Sequence, residues 1–167
     1  MIRTASAAEA RALHALIQSA YRGESARAGW THEADMIAGE RISVAEVEAI
    51  IADPKQTFLI AEREGAVAGC VLVADRGGGV GYFGLLAVSP DLQAKGCGKS
   101  LIAAAEDHAR SNYGTRQMEM TVIDGRDELI AYYERRGYAL TDETRPLPVV
   151  ADGRLYLRVM VKPLAPV

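Results

Sequence analysis

Residues 93 to 100 read Gln-Ala-Lys-Gly-Cys-Gly-Lys-Ser, and their types suit the binding of phosphate. Gly96 and Gly98 allow a main chain to approach a ligand with no Cβ in the way. Lys95 and Lys99 carry formal positive charge, and the Ser100 hydroxyl can donate. If a helix begins here, the N–H groups of positions 96 to 100 lack partners within it and add about half a positive charge. Together these make a site for a diphosphate. The attraction is local, because physiological salt screens charge over about 8 Å. A chain with a net charge of −3 can therefore hold such a site.

Two other glycine patterns compete with this one. Gly98-Lys99-Ser100 resembles the end of a P-loop, but that motif needs a glycine where Gln93 stands, which argues against a nucleotide hydrolase. Gly79, Gly81 and Gly84 spell GxGxxG. A dinucleotide fingerprint must open a helix, whereas here Leu85-Leu86-Ala87-Val88 and Pro90 follow, a strand and its end. Those glycines read better as a hairpin turn and points of close backbone approach.

The elements that must position the turn are legible from periodicity. Ser6 with Glu9 and Ser43 with Glu46 have capping-box spacing, giving a helix from about 6 to 21 and a second one ended by Pro54. Residues 22–41 show weak periodicity and read as a loop or short helical pieces. Two apolar runs flank Glu64-Gly65, a hairpin signal, and a turn at 77–79 leads to a third strand at 80–88. A helix over 97–112, a strand at 117–123 and a helix over 127–136 follow, with Gly137 at the left-handed end position. Residues 138–143 and 154–161 read as two last strands around a loop holding Arg145-Pro146. This order suits a mixed layer on a largely antiparallel sheet, not a doubly wound one.

Bulk properties narrow the class. The 167 residues suit one domain, 1–167, and a charged share of 25% with an acidic balance argues against a general nucleic-acid binder. Cys70 and Cys97 form no CxxC pair, which favours a reduced, cytoplasmic setting. The N-terminus has no apolar signal core, and the longest apolar run, GAVAGCVLVA, is too short to span a membrane.

Gln93 to Gly98 also fit [QR]-x-x-G-x-[GA] between a strand and a helix, within LAVSPDLQAKGCGKSL. There the chain resembles the GNAT superfamily of N-acetyltransferases. IAYYERRGY, Ile130 to Tyr138, resembles the second signature of that family, a tyrosine-bearing helix followed by glycine and an aromatic residue. The two lie one helix and one strand apart, as in the family. The resemblance is close over 57–162 and looser in the N-terminal third. It implies the α/β (α+β) acyl-CoA N-acyltransferase fold, with a twisted, mostly antiparallel sheet of about seven strands and helices on both faces.

The resemblance further implies acetyl-CoA as cofactor. Gln93, Ala94, Lys95, Gly96, Cys97, Gly98, Lys99 and Ser100 would hold its diphosphate. The strand at 85–88 would part from the strand at 118–123, with Gly81 and Gly84 as bulge sites, and the pantetheine arm would pair with Leu86, Ala87 and Val88. Tyr133 would face the thioester. A phenol near 10 gives its proton uphill to a thiolate near 8.5, by roughly 2 kcal/mol. Tyr133 would therefore act first as a hydrogen-bond donor, with proton transfer following. Its structural alternative is a packed helix aromatic, the role assigned to its neighbour Tyr132.

The chain departs from the family pattern in two places. Arg126 stands where many members carry asparagine, and could contact the cofactor or simply cover a helix start. The strand at 80–88 lacks a carboxylate for the general base, which leaves Glu119, Glu33 and Tyr82 as candidates. Glu119 alternates with Met118 and Met120, so it faces away from them. Tyr21, Trp30, Glu33 and Tyr82 fall where the family builds its acceptor site. His32 and Glu33 do not form HExxH, and three scattered histidines give no metal site. Cys97 reads as space-filling. The expected activity is direct acetyl transfer to a primary amine of a small molecule or peptide, with a homodimer possible. The alternative from another class is a non-catalytic acyl-CoA-binding module.

Overall fold

The computed structural model describes residues 1–27, 42–90, 92, 96–146 and 156–166, the side chains of 21–27 excepted. A short strand, β1 (Ile2–Thr4), precedes a 3₁₀ turn at Ala7–Glu9 and helix α1 (Ala10–Arg27). Glu9 accepts the Ser6 N–H at 2.8 Å, the expected cap. Helix α2 (Val44–Ala52) opens on a full capping box: Ser43 N–H meets Glu46 Oε1 and Glu46 N–H meets Ser43 Oγ, both at 3.1 Å. Strands β2 (Gln56–Arg63), β3 (Ala66–Gly77) and β4 (Val80–Val88) meander. At the first tip, Glu64 and Gly65 both take positive φ, 52° and 79°, the conformation whose twist matches paired strands. Helix α3 (Cys97–Tyr113), strand β5 (Gln117–Ile123), helix α4 (Asp127–Arg135) and strands β6 (Ala139–Pro146) and β7 (Tyr156–Pro163) complete the chain. Gly137 takes φ 100° after α4, as its position predicts.

The seven strands form one sheet in the order β1-β2-β3-β4-β5-β7-β6. Every neighbouring pair is antiparallel except β4 with β5. The mixed, mostly antiparallel architecture is thus as expected, and three local readings need correction. Strand β1 has only three residues, too few for alternation to show. Helix α1 continues to Arg27 rather than ending near 21, so Arg22 to Arg27 lie on a helix, not in a loop. Once nucleated, a helix gains one bond per added residue without needing an apolar stripe. Arg145 and Pro146 belong to β6, not to a loop. Proline is tolerated there because β6 is the sheet's edge and Pro146 is its last residue.

Alternation along the strands divides the core. Leu59, Val71, Val73, Phe83, Met118, Met120 and Met160 pack with Leu101, Ile102 and Ala105 of α3 and with Ile130 and Tyr133 of α4. Phe58, Ile60, Cys70, Leu72 and Ala87 pack on the other face with Leu13 and Ile17 of α1 and Val47 of α2. Each fully buried Val, Leu, Ile, Phe or Met side chain among them contributes about 1.5–3 kcal/mol. Phe83 and Ala87, an even number of residues apart on one strand, lie on opposite faces. A bulge has therefore shifted the strand's parity between them. Among the described residues, no helix is long and apolar enough to cross a membrane.

Candidate functional site

The parity shift lies beside a fork in the sheet. β4 and β5 pair at Val80↔Gln117, Gly81↔Met118 and Tyr82↔Glu119, and there their ladder stops. β4 stays paired with β3 up to Val88, and β5 with β7 up to Ile123. The parting expected between 85–88 and 118–123 is thus present, and it leaves strand edges facing an opening. Between Leu72↔Gly84 and Cys70↔Ala87, Leu85 and Leu86 together oppose Val71. Leu85 takes φ 50°, so the bulge residue in the left-handed conformation is a leucine, next to the expected Gly84. A second irregularity adjoins Gly81, where the register with β3 shifts between Asp75 and Gly77.

Both glycines are also places of close approach. A Cβ on Gly81 would stand 2.9 Å from Thr115 Cγ2, and one on Gly84 would stand 2.8 Å from the Tyr82 ring. Tyr82 therefore lies along its own strand over Gly84. Its hydroxyl comes within 3.5 Å of Thr121 Oγ1 on β5, a long contact across the fork. The Arg76 guanidinium covers the ring at 4.5 Å from its centroid. Glu119 shares this face with Tyr82 and bonds Arg145 at 3.2 Å, while Arg145 Nε holds Glu143 at 3.0 Å. The partnership of Glu119 with Arg145 has no sequence signal, because it joins β5 to β6 across intervening elements.

The opening turn of α3 follows β4. Gly96 caps it in the left-handed conformation, φ 77°, and its carbonyl accepts the first helical bond from Ser100 N–H at 3.1 Å. The N–H groups of Cys97, Gly98 and Lys99 precede that bond and have no place in the helical ladder. Among the described residues, its chain neighbours aside, nothing stands within 4 Å of a Cβ built on Gly96. Lys99 and Ser100 are exposed. Cys97 is half-buried, and burial pushes its thiol up from the ordinary value, the opposite of what a reactive thiolate at a helix start needs. Gln93, Ala94 and Lys95 lie outside the described residues, as do Trp30, Glu33 and the side chain of Tyr21.

Tyr133 lies on the α3/α4 face of the sheet, opposite to Tyr82 and Glu119. It is buried, with ring centroids at 5.2 Å from Tyr132, 6.1 Å from Phe83 and 6.4 Å from Tyr138. Tyr138 is itself fixed: its hydroxyl donates to Glu106 Oε2 at 2.7 Å, and Lys162 Nζ meets the same carboxylate at 3.0 Å. Burial, and then the bond to Glu106, push the Tyr138 hydroxyl far up, so it remains a neutral donor. Glu106 was not among the sequence candidates. Its signal was present, for it falls on the apolar stripe of Leu101, Ile102, Ala105 and Ala109. Arg126 caps α4 without a side-chain cap bond, and its Nε reaches Glu128 at 3.1 Å. Among the described residues no group of His, Cys, Asp and Glu could hold a metal ion.

A family model described as "Acetyltransferase (GNAT) family" matches residues 12–138. No curated protein matches the sequence. The chain is similar in structure to ribosomal-protein-S18-alanine N-acetyltransferase of Escherichia coli, with 19% identity and TM-score 0.74, over 100% of this chain and 95% of that one. It is similar to the PaiA N-acetyltransferase of Thermoplasma acidophilum in complex with coenzyme A, with 16% identity and TM-score 0.75, over 98% of each chain. It is likewise similar to yncA of Salmonella typhimurium, a putative acetyltransferase with its cofactor acetyl-CoA, with 20% identity and TM-score 0.72, over 99% of this chain and 94% of that one. These likenesses speak for the fold.

Proposed function

The chain belongs to the GNAT acetyltransferase family, and from that premise we propose that it transfers an acetyl group from acetyl-CoA to a primary amine of a small molecule or peptide by direct attack. The observation that carries the reading is the fork: β4 and β5 pair over three residues and then part, with an open helix start after β4. Structural neighbours solved with coenzyme A or acetyl-CoA support the choice of cofactor, and so does the fit of the residues. The amides opening α3 lack helical partners, and no described residue beyond its chain neighbours crowds the Cα of Gly96.

In this reading the diphosphate lies on positions 93 to 100, and the pantetheine arm adds to the β4 edge at Leu86, Ala87 and Val88 as an extra strand would. A strand-end N–H steadies the charge that develops on the carbonyl oxygen. The neutral amine attacks the carbonyl carbon; the C–N bond forms, the C–S bond breaks, and the electron pair leaves on sulfur. Tyr133 donates a hydrogen bond to that sulfur and then supplies its proton, and the proton shed by the acylated nitrogen restores the phenol, directly or through water. Packing against Phe83, Tyr132 and Tyr138 holds the ring for this task.

An alkylammonium near 10.4 must lose a proton before attack. Glu119 and Tyr82, on the opposite face of the fork, and Glu33 are the candidates to receive it, directly or through water. Arg145 orients Glu119. Arg126 is assigned to the cofactor, while Tyr21, Trp30, Glu33 and Tyr82 are assigned to the acceptor. The reading places the enzyme in the cytoplasm, where free Cys70 and Cys97 stay reduced, and allows a homodimer.

The Arg145–Glu119 bond favours a second reading, a non-catalytic acyl-CoA-binding module, because it engages a carboxylate beside the fork. One experiment separates the two. Thiol release from acetyl-CoA is measured against polyamines, amino acids, aminoglycosides and peptide N-termini. Acceptor-dependent release supports the transferase, whereas binding of acetyl-CoA with no release across the panel supports the module.

A further inference from the structure

Glu119 of β5 and Arg145 of β6 meet over the strand between them, Arg145 Nη2 donating to Glu119 Oε2 at 3.2 Å. Glu119 pairs with Tyr82 on the last rung before the fork opens. The core cluster beneath α1 and α2 draws on β2, β3 and β4, and no described residue of β5, β7 or β6 belongs to it. The pair therefore stands beside that cluster and keeps contact with water, the side chains of Glu119 and Arg145 being 16% and 31% exposed. A guanidinium has five N–H donors. Among the described residues Arg145 uses two of them, Nη2 on Glu119 and Nε on Glu143 at 3.0 Å. Nη1 and the second hydrogen of Nη2 remain, a flat fork suited to a carboxylate.

This arrangement constrains the acceptor. An ammonium group drawn to Glu119 comes to rest beside the Arg145 guanidinium, a like charge. A polyamine or an aminoglycoside brings only more positive charge to that place, and a peptide N-terminus carries an uncharged amide next to its amine. A free α-amino acid carries a carboxylate one carbon from its ammonium group. That carboxylate takes the open fork of Arg145 and offsets the repulsion, which acceptors without it must bear. We propose that Glu119 and Arg145 select a free α-amino acid as the acceptor, Glu119 holding its ammonium group and Arg145 its carboxylate. The proposal rests on the reading of the chain as an acetyltransferase. Glu119 takes one proton from the ammonium group and later passes it to water. The neutral amine attacks the thioester carbon, and the C–S bond breaks as the C–N bond forms. Tyr133 protonates the departing sulfur, and the second proton of the nitrogen restores the phenol. The products are an N-acetyl amino acid and coenzyme A.

The test measures thiol release from acetyl-CoA with the free amino acids, each against its own carboxamide, in the wild type, Arg145→Gln and Glu119→Gln. The carboxamide keeps the side chain and the amine and removes only the negative charge. Its amine is also the less basic of the two, so solution reactivity at neutral pH favours the carboxamide. The wild type should nevertheless favour the amino acid about tenfold or more in kcat/KM, and Arg145→Gln should bring that ratio close to unity. Glu119→Gln should lower kcat/KM for the amino acid about tenfold. Wild-type protein that acetylates carboxamides and simple amines as readily as amino acids overturns the inference and leaves the transferase reading standing. A preference that survives in Arg145→Gln, or unchanged activity in Glu119→Gln, overturns the assignment to this pair. Acetyl-CoA bound with no thiol released by any acceptor overturns both readings. Should Arg145→Gln melt early, Arg145→Lys keeps the charge without the fork, and a reduced preference in that variant supports the proposal whereas an undiminished one overturns it.

Discussion

Cys70 and Leu85 are joined across the bulge of β4: the Cys70 thiol donates to the Leu85 carbonyl at 3.4 Å, and Leu85 takes φ 50°. Burial pushes that thiol up to about 12, so it remains a donor throughout the neutral range. The bulge turns Leu85 toward the α1/α2 side and Leu86 and Val88 toward the α3 side. Cys70→Ala should therefore cost about 1–2 kcal/mol in urea denaturation and raise the KM for acetyl-CoA. A variant with wild-type stability and KM shows that the bulge holds without the thiol.

Tyr133→Phe keeps the ring and its packing and removes one oxygen. Turnover should fall about a hundredfold, with acetyl-CoA affinity nearly unchanged by calorimetry. Unaltered turnover removes Tyr133 from the chemistry and leaves it the role of a packed aromatic residue.

Glu106, Tyr138 and Lys162 form a closed group beneath the aromatic cluster. Tyr138→Phe removes a hydrogen bond to a charged acceptor, a loss of about 1.5–3 kcal/mol. Lys162→Met leaves a buried carboxylate without its cation and should cost more, about 3–5 kcal/mol. The double variant Glu106→Gln/Lys162→Met should recover part of that loss, and denaturation midpoints of the set measure the coupling. Simple additivity of Glu106→Gln and Lys162→Met in that double variant contradicts the closed group.

His108 ties α3 to β2. Its Nε2 lies 3.1 Å from Thr57 Oγ1, and Asn112 Nδ2 donates to its Nδ1 at 3.1 Å. Burial lowers its folded-state pKa below the ordinary 6.5. The unfolded chain therefore binds the proton first as pH falls, so stability is full above about 6.5 and declines below it. Glu9 acts in a separate, more acidic window. Its bond with Arg3 lowers its carboxyl to about 2, so its contribution is present above the ordinary carboxylate value and is lost as pH falls toward 2. Urea midpoints should drop between about pH 7.5 and pH 5 in the wild type and drop less in His108→Gln. An equal drop in both proteins removes His108 as the cause.

What the sequence made legible was local in the chain. The turn at Gly96 and Gly98, the capping pairs at Ser6 and Ser43, and Gly137 each depend on neighbours within a few positions, so spacing alone identifies them. Arg145 shows the opposite case. Its contact with Glu119 joins β6 to β5, and only the sheet order brings them together. Leu85 escaped notice because glycine, not leucine, advertises a left-handed residue. The approach of the Tyr132 hydroxyl to Gly98 has no spacing signal, because only the placement of α4 beside α3 brings the two together.

The central claim is that coenzyme A enters the fork between β4 and β5 with its diphosphate on the start of α3. Amide NMR of the ¹⁵N-labelled protein titrated with acetyl-CoA tests it most directly. Shifts should concentrate at Cys97 to Ser100 and at Leu86 to Val88. Saturating acetyl-CoA that leaves those amides unmoved, or moves only distant ones, contradicts it.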